Sequence, residues 1–486
     1  MFKMFLDKTE IRKIDFFRYM ENRPLLKENK ETIIEELMIS EFLLNRTMEE
    51  LNTDFKQYEL VEDFELVETN TTIELLENGL GTSKQLETIY VEKSMAFSMM
   101  LELLFENFQS VNDYADKNFI SFSPVYKKLK VMRKFFEQFS FTITKKFTFE
   151  GNEKKLRHFF LHALFEQMHQ ELSIYPENIV KKSLHFLKTV QEHRKMGMQE
   201  YAKLKLLHFL NITFLRIERG HTITEEKRIV SSSYLNESPH AKWIREWLEK
   251  EMKMIDKKRI EYEVDEILAY LVGEEIIKSR GYLGFVNDKS FQLDSLEFVE
   301  TVQSKFPFAK QFKKKNYKRI ALFHFYTVNF TLENIEYDKN LDINYFVDNY
   351  PEYVSFCKEY IEGKKNQRHI WKRKEFYFYN YLLLLVDKLP LQEFLQPIYL
   401  YIDFSFGKIY NRMIVRNINK LFELNITYQK SIDEQTDLIL SDIYFAEFEM
   451  ISQIIWLAPP RAIDWGNFSN HIARLRKEKR TLIPKE

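Results

Sequence analysis

The chain has 486 residues, of which 45% are hydrophobic and 30% charged, so it can bury sizeable cores in about three domains or more. Only 11 glycines and 11 prolines occur, which favours long helices over a β-sandwich or barrel. The formal net charge is −1, so only the distribution of charge along the chain can indicate a polyanionic partner. The single cysteine, Cys357, excludes an intramolecular disulfide and a cysteine-based zinc site.

The charge distribution reverses within the N-terminal third. Residues 21–70 hold five basic and fourteen acidic residues, whereas residues 111–160 hold eleven basic and five acidic ones. Residues 376–386 form the longest near-apolar run, which is too short to span a bilayer and indicates a buried core helix. We therefore expect a cytoplasmic protein without a membrane segment, whose basic region meets an anionic partner.

Two segments share one order of predicted elements. Apolar periodicity predicts helices at Lys8–Met20, Lys30–Met38 and Ser40–Phe55, followed by strand-like alternation over residues 58–68. The second segment has a long helix (Thr88–Phe108), a short one (Val111–Asn118), a helix from Ser123, alternation over 141–150 and a turn at Gly151–Asn152. Helices followed by a hairpin, twice over, indicate two winged helix-turn-helix domains.

The remainder changes period near residue 396. Residues 170–392 are helical, in two blocks separated near 281–294. Strand-like runs follow at 397–404, 425–432, 437–443 and 453–459, with helices predicted at Lys408–Phe422 and Trp465–Lys477. Strand, helix and strand in sequence predict a small parallel-sheet α/β domain.

The helix from Ser123 is the strongest candidate for a binding element. Ser123 suits the N-cap and Pro124 the first helical position. One face is apolar, comprising Val125, Leu129, Met132, Phe136 and Phe139. The opposite side carries the candidate DNA contacts, namely Lys127, Lys130 and Lys134, with Ser123 and Tyr126 at the N-terminal end and Lys128 and Arg133 at the edges.

This pattern is typical of a recognition helix. The cationic face would meet phosphates while Ser123 and Tyr126 reach base edges in a major groove. Lys145 and Lys146 in the predicted hairpin suit a wing on the DNA backbone, and the basic residues at 154–157 strengthen the interpretation. The alternative is a solvated basic face on an ordinary surface helix.

The first helix-turn-helix is a weaker DNA-binding candidate. The outer face of its third helix carries Glu41, Glu49 and Glu50, and only Arg46 could compensate. We expect a structural or protein-binding domain there. No sequence motif indicates an active site, a cofactor or a metal; the pair His158 and His162 suggests surface histidines, and His208 a core histidine.

Four regions of the chain resemble domains of a known family. FSPVYKKLKVM (122–132) and FEGNEKKLRHFF (149–160) resemble the helix-turn-helix of the Mga/AtxA class of virulence regulators of Gram-positive bacteria. Residues 201–223 resemble a first phosphotransferase-regulation domain (PRD), and 350–362 with 377–389 a second. Residues 397–414 with 437–442 resemble the phosphotransferase component EIIB.

The resemblance implies a non-enzymatic, mainly α, multidomain transcription regulator that binds double-stranded DNA. It implies five domains: winged helix-turn-helix domains at 1–72 and 73–168, PRD-like helical bundles at 169–282 and 283–393, and an EIIB-like α/β domain at 394–486. It also implies a homodimer, partly through the EIIB-like domain, and phosphorylation by the phosphotransferase protein HPr. The alternative is a degenerate member that acts as a protein-interaction module without strong DNA binding.

The regulatory positions depart from the family pattern. Leu204 stands where AtxA-like members carry a regulatory histidine, with His208 one helical turn further on, and Asp387 stands at the matching position of the second PRD. His324 is a further candidate acceptor. Asp403 and Phe404 replace the phosphocysteine of EIIB, so we predict that phosphorylation control is altered or lost.

Overall fold

A computed structural model describes most of the chain. The described residues are 4–23, 25–78, 81–168, 172–193, 197–224, 228–253, 255–278, 286, 289–306, 308–333, 343–389, 396–421, 425–457 and 459–481. They divide into two compact units, Met1–Glu300 with Lys313–Glu336, and Thr301–Phe312 with Tyr337–Glu486. The boundaries predicted at 168/169, 282/283 and 393/394 adjoin or lie in ranges outside the described residues.

The first unit begins with a winged helix-turn-helix domain. Its elements are α1 (Lys8–Glu21), β1 (Lys27–Asn29), α2 (Lys30–Leu37), α3 (Glu41–Gln57), β2 (Phe64–Glu68) and β3 (Thr72–Glu77). The strands form an antiparallel sheet in the order β1-β3-β2, so the domain boundary predicted after residue 72 falls inside β3. The three helices predicted from periodicity are confirmed to within two residues at each end.

A second domain repeats this order. It comprises α4 (Ser83–Lys93), α5 (Met95–Leu104), α6 (Val111–Lys117), α7 (Phe122–Glu137), β4 (Phe141–Ile143), β5 (Phe149–Gly151) and α8 (Glu153–Met168). The single helix predicted over Thr88–Phe108 is wrong. Ser94 adopts extended backbone angles and its hydroxyl accepts a hydrogen bond from the Phe97 N–H (3.2 Å), which ends α4 and caps α5.

Both helix-turn-helix turns have the same backbone geometry. Met38 after α2 and Phe119 after α6 are left-handed, with φ of 52° and 55°. In each turn the following isoleucine donates its N–H to a carbonyl five residues back, Ile39 to Ile34 (3.2 Å) and Ile120 to Ala115 (2.9 Å). The shared turn supports the assignment of two equivalent domains.

A helical bundle follows in the first unit and continues the same core. Its helices are α9 (Glu177–His193), α10 (Glu200–Glu218), α11 (Ser232–Glu237), α12 (Pro239–Glu251) and α13 (Lys257–Gly273), with α14 (Ser290–Lys305) and α15 (Phe312–Phe330) after them. One contiguous set of buried apolar side chains runs from Phe5 to Phe330. This continuity joins the winged domains to the bundle.

The second unit combines short helices with an α/β domain. The helices are α16 (Ile343–Asn349), α17 (Pro351–Glu362), α18 (Arg368–Trp371) and α19 (Lys374–Lys388). Then follow β6 (Ile398–Asp403), α20 (Lys408–Leu421), β7 (Ile426–Gln429), β8 (Leu438–Ser441), a 3-10 turn (Ala446–Phe448), β9 (Ser452–Ile455) and α21 (Ala462–Thr481). The strands are all parallel, in the order β7-β6-β8-β9, which confirms the predicted parallel sheet.

No helix in the described part of the chain is long and apolar enough to cross a membrane. The apolar run at 376–386 lies within α19, where Tyr377, Tyr381, Leu382 and Leu385 are buried. The prediction of a core helix for this run is confirmed.

Candidate nucleic-acid interface

Helix α7 is held in the second winged domain by its apolar face. Val125, Leu129, Met132 and Phe136 are all at most 1% exposed, and Phe139 just beyond the helix is also buried. This confirms the predicted stripe. The helix begins one residue before the predicted N-cap, however, because Ser121 occupies the cap position and Ser123 lies in the first turn, where it is exposed.

The opposite face of α7 is cationic and open. Lys127, Lys130 and Lys134 are exposed, and Lys128 is half-buried at the edge. Among the residues that the structure describes, no carboxylate lies within ion-pair distance of these four ammonium groups. Their charge is therefore available to an external anion.

Arg133 is half-buried at the edge of α7, and its guanidinium has hydrogen-bond partners within the domain. Its Nε donates to the Ile143 carbonyl (3.1 Å) and its Nη2 to the Thr144 carbonyl (3.2 Å). Because these carbonyls lie at the end of β4, the guanidinium ties α7 to the hairpin. Its predicted contact with DNA stays a prediction.

The β4–β5 hairpin is a wing with a basic tip. Lys145 and Lys146 are exposed in its turn, as predicted. The turn is closed by the Thr144 N–H, which donates to the Thr148 carbonyl (2.8 Å). At the base of the hairpin, Gly151 has a φ of +138° and packs closely against the backbone of Ser140. Glycine is needed there, since a Cβ would stand 2.5 Å from the Ser140 carbonyl oxygen.

The basic residues at 154–157 do not extend this surface, which corrects the sequence interpretation. Lys154 and Arg157 are buried, and only Lys155 is exposed. Both buried cations belong to a buried charge cluster between α8, α10 and α13. Its members are Glu153, Lys154, Arg157, His158, Arg216, Glu263, Asp265 and Glu266.

The strongest contacts of the buried charge cluster are bidentate. Arg157 donates to both carboxylate oxygens of Glu263 (2.6 and 3.0 Å), and Arg216 donates to both of Glu153 (3.0 and 2.8 Å). His158 contacts Glu266 at 2.7 Å and is 5% exposed, so the prediction of a surface histidine is wrong. The (i, i+4) spacing of Glu153 and Arg157 was the only sequence signal of this cluster.

Two carboxylates of the buried charge cluster have opposite pKa shifts. Burial would raise the pKa of Glu266, but the Lys154 ammonium and the His158 hydrogen bond outweigh it and lower that pKa to about 2. Burial dominates at Asp265 and raises its pKa to about 6, although Lys154 and two backbone N–H groups oppose the rise. The cluster therefore holds Glu266 as a carboxylate.

The first winged domain presents an acidic face. Arg46 on α3 is exposed but its Nε donates to Glu50 (2.8 Å), and Arg12 also donates to Glu50 (2.5 Å). Glu41 and Glu49 are exposed beside them. Arg46, the one basic DNA-contact candidate predicted here, already has a carboxylate partner.

The candidate phospho-acceptors are enclosed. His208 is fully buried and its Nδ1 shares a hydrogen bond with the Tyr175 hydroxyl (2.9 Å), which confirms the predicted core histidine. His324 is also fully buried, with its Nδ1 3.0 Å from the Ser295 hydroxyl. Leu204 is half-buried on α10, and Asp387 is exposed at the end of α19 beside Lys388 (2.7 Å).

The loop after β6 has internal partners where EIIB holds its phosphocysteine. The Ser405 N–H donates to Asp442 (2.9 Å), and the Ser405 hydroxyl donates to the same carboxylate. The Phe404 N–H donates to Asn411 (2.9 Å), and the Phe404 ring is buried. A carboxylate and an amide of the same domain thus satisfy these donors.

The geometry of the second winged domain defines a class of protein. A helix-turn-helix, a recognition helix with an open cationic face and a basic wing form the DNA-binding unit of winged helix-turn-helix proteins. Residues 82–165 match the family described as the Mga helix-turn-helix domain, which spans α4 to α8. No curated protein matches the chain. This match supports the predicted resemblance to the Mga class over these residues, and the matched family is one of transcription regulators.

Proposed function

We propose that the protein is a sequence-selective transcription regulator that binds duplex DNA mainly through α7 and the β4–β5 wing. The open lysine face of α7 carries this proposal. Lys127, Lys130 and Lys134 lie opposite the buried stripe, so the packing that anchors the helix also presents these charges outward. Lys145 and Lys146 extend the cationic surface to a second stretch of backbone.

The first winged domain has a supporting role in this proposal. Its face is acidic and Arg46 is paired, so it would repel phosphates. The same observation favours the second candidate function, a protein-interaction module that binds a basic partner. We place the boundary between the two winged domains after Glu77, where β3 ends.

Binding to mixed-sequence duplex DNA at low salt distinguishes the two functions. A regulator binds such DNA with a steep salt dependence, because each phosphate contact releases a counterion. An interaction module with a net acidic face does not bind. Fluorescence anisotropy of labelled duplex, titrated with the full-length protein at several salt concentrations, gives both the affinity and the slope.

The helical domains would regulate DNA binding without histidine phosphorylation. Leu204 lacks a nucleophile, and His208 and His324 are fully enclosed by packed helices. A phosphoryl donor of protein size cannot reach an imidazole with no accessible surface. Asp387 would supply a permanent negative charge in place of a switchable one.

Incubation with enzyme I, HPr and labelled phosphoenolpyruvate should leave the protein unlabelled. A phosphorylatable PRD protein in the same reaction is the positive control. A His208→Ala/His324→Ala variant identifies the acceptor if label appears. Label that this variant loses would contradict the proposal.

The α/β domain supports self-association. Exposed apolar side chains follow the carboxyl ends of three parallel strands, namely Phe406 and Ile409 after β6, Ile443 and Tyr444 after β8, and Ile455 and Leu457 at the end of β9. Carboxyl ends of parallel strands meet at one sheet edge, so these residues form an apolar surface. We infer a homodimer in which two copies cover this surface.

Light scattering should give the mass of a dimer for the wild type and of a monomer for Ile409→Glu/Leu457→Glu. Both side chains are exposed in the single chain, so the substitutions leave the core intact. Met38→Glu/Phe42→Glu changes two equally exposed residues of the first winged domain and should stay dimeric. A wild-type monomer, or a dimer that survives the first pair of substitutions, would exclude this interface.

A further inference from the structure

Aromatic side chains occupy the end of α7 that the proposed function directs toward base edges. Phe122 and Tyr126 are 49% and 50% exposed, and their rings stack with centroids 5.7 Å apart and an interplanar angle of 13°. Phe119, in the turn before the helix, is 97% exposed. Apolar surface of this size costs free energy in water, so its position calls for a covering group.

The left-handed backbone of Phe119 adds a second observation. A φ of 55° is unfavourable for a bulky aromatic residue, and glycine would relieve the strain. The position nevertheless combines strain with near-complete exposure. Neither local backbone preference nor packing within the domain accounts for phenylalanine there.

The first three turns of α7 lack the side chains that pair with adenine or accept from cytosine. Residues 122–131 contain no Asn, Gln, Asp, Glu or Arg. Asn and Gln pair with adenine, Asp and Glu accept from cytosine, and Arg or Lys contacts guanine, so lysine is the guanine-reading side chain that this segment retains. Arg133, two residues further on, donates to the carbonyls of Ile143 and Thr144 in the wing. The remaining groups are hydroxyls, lysines and aromatic rings.

Charge complementarity identifies the covering group as duplex DNA. Lys127 and Lys130 flank the aromatic pair on the same helix, and the next exposed cation is Lys134. A major groove presents one apolar group to such a surface, the 5-methyl group of thymine. The surface therefore combines cations for the backbone with rings for that methyl group.

We propose that Phe122 and Tyr126 select DNA by contact with thymine 5-methyl groups in the major groove, with Phe119 at the edge of the same contact. This inference rests on the proposed function, because it requires α7 to enter the groove. Each buried methyl group contributes roughly a fourfold gain in affinity. Two contacts by the aromatic pair give roughly a 16-fold preference.

The test compares duplexes that differ only in the methyl group. Full-length protein is titrated into an alternating A·T duplex and into the same duplex with uracil in place of thymine. A G·C duplex with cytosine or 5-methylcytosine repeats the comparison on another base pair, where the methyl group occupies the same side of the groove. A uniform duplex presents methyl groups in every register, so no operator sequence is needed.

The wild type should prefer thymine over uracil about 16-fold and 5-methylcytosine over cytosine by a similar factor. Phe122→Ala/Tyr126→Ala should bind all four duplexes with ratios near one. Tyr126→Phe should keep the preference, because it retains the ring. Phe42→Ala, which removes an exposed ring from α3, is the matched control and should also keep the preference.

The results that would refute methyl recognition differ from the result that would refute the proposed function. Equal binding of thymine and uracil duplexes by the wild type, or a preference that survives the double alanine variant, refutes methyl recognition while DNA binding stands. Absence of binding to every duplex at low salt refutes the proposed function itself.

Discussion

Replacing Lys127, Lys130 and Lys134 with alanine should lower the affinity for duplex DNA by roughly 100- to 1,000-fold at low salt. The three ammonium groups are exposed, and no described carboxylate neutralises them. Each one that contacts a phosphate adds roughly 0.9 to the salt-dependence slope, so the slope should fall by nearly three. Anisotropy titrations of the full-length variant over a range of salt concentrations measure both quantities.

A control variant separates this effect from net charge. Lys188, Lys242 and Lys250 are exposed on α9 and α12, outside both winged domains. Their replacement with alanine changes the total charge equally and should leave the slope and the affinity nearly unchanged. Equal losses in the two triple variants would show that binding follows overall charge, and an unchanged first variant would place the DNA surface elsewhere.

Arg157→Met should destabilise the first unit by about 3–5 kcal/mol. Arg157 is 2% exposed and forms a bidentate ion pair with Glu263, which is fully buried, as well as a contact with Glu153 (2.9 Å). Without the guanidinium, the buried Glu263 carboxylate loses its bidentate partner, and Glu153 keeps only Arg216, so the desolvation of Glu263 is no longer offset. Urea unfolding followed by circular dichroism measures the free energy of unfolding, and the transition of the first unit should move to a lower urea concentration.

Two further variants identify burial as the cause. Arg245→Met breaks a bidentate pair with Glu261 whose side chains are 23% and 27% exposed, and should cost about 1 kcal/mol or less. Arg157→Met/Glu263→Gln removes the buried charge together with its partner, and should recover part of the stability that the single variant loses. Equal costs for Arg157→Met and Arg245→Met would contradict a special role for the buried charge cluster.

The buried charge cluster also connects the matched domain to the helical bundle. It joins α8, the last helix of the matched domain, to α10 and α13 of the bundle through charge-assisted hydrogen bonds. The DNA-binding domain and the bundle share one apolar core as well. A change in the packing of α10 or α13 would therefore change the position of α8. Helix α8 follows the wing after a single residue.

The local sequence determined much of the fold. Apolar periodicity predicted α1, α2, α3, α6 and α7 within a few residues, because one face of each helix must be buried. Four short apolar runs predicted four strands, and the helix between the first two predicted their parallel pairing. The lysine face of α7 was also predicted from the sequence. When the apolar stripe of a helix is buried, the positions on the opposite side of that helix are exposed.

Only the tertiary structure decided which charges face solvent. Lys154 and Arg157 read as basic surface residues, but Glu263, 106 residues away from Arg157 in sequence, draws that guanidinium into the interior. Likewise Arg133 is bound by wing carbonyls that no periodicity places. The period of a helix follows from its local sequence, whereas the partner of a buried charge comes from a distant segment and is fixed only when the chain has folded.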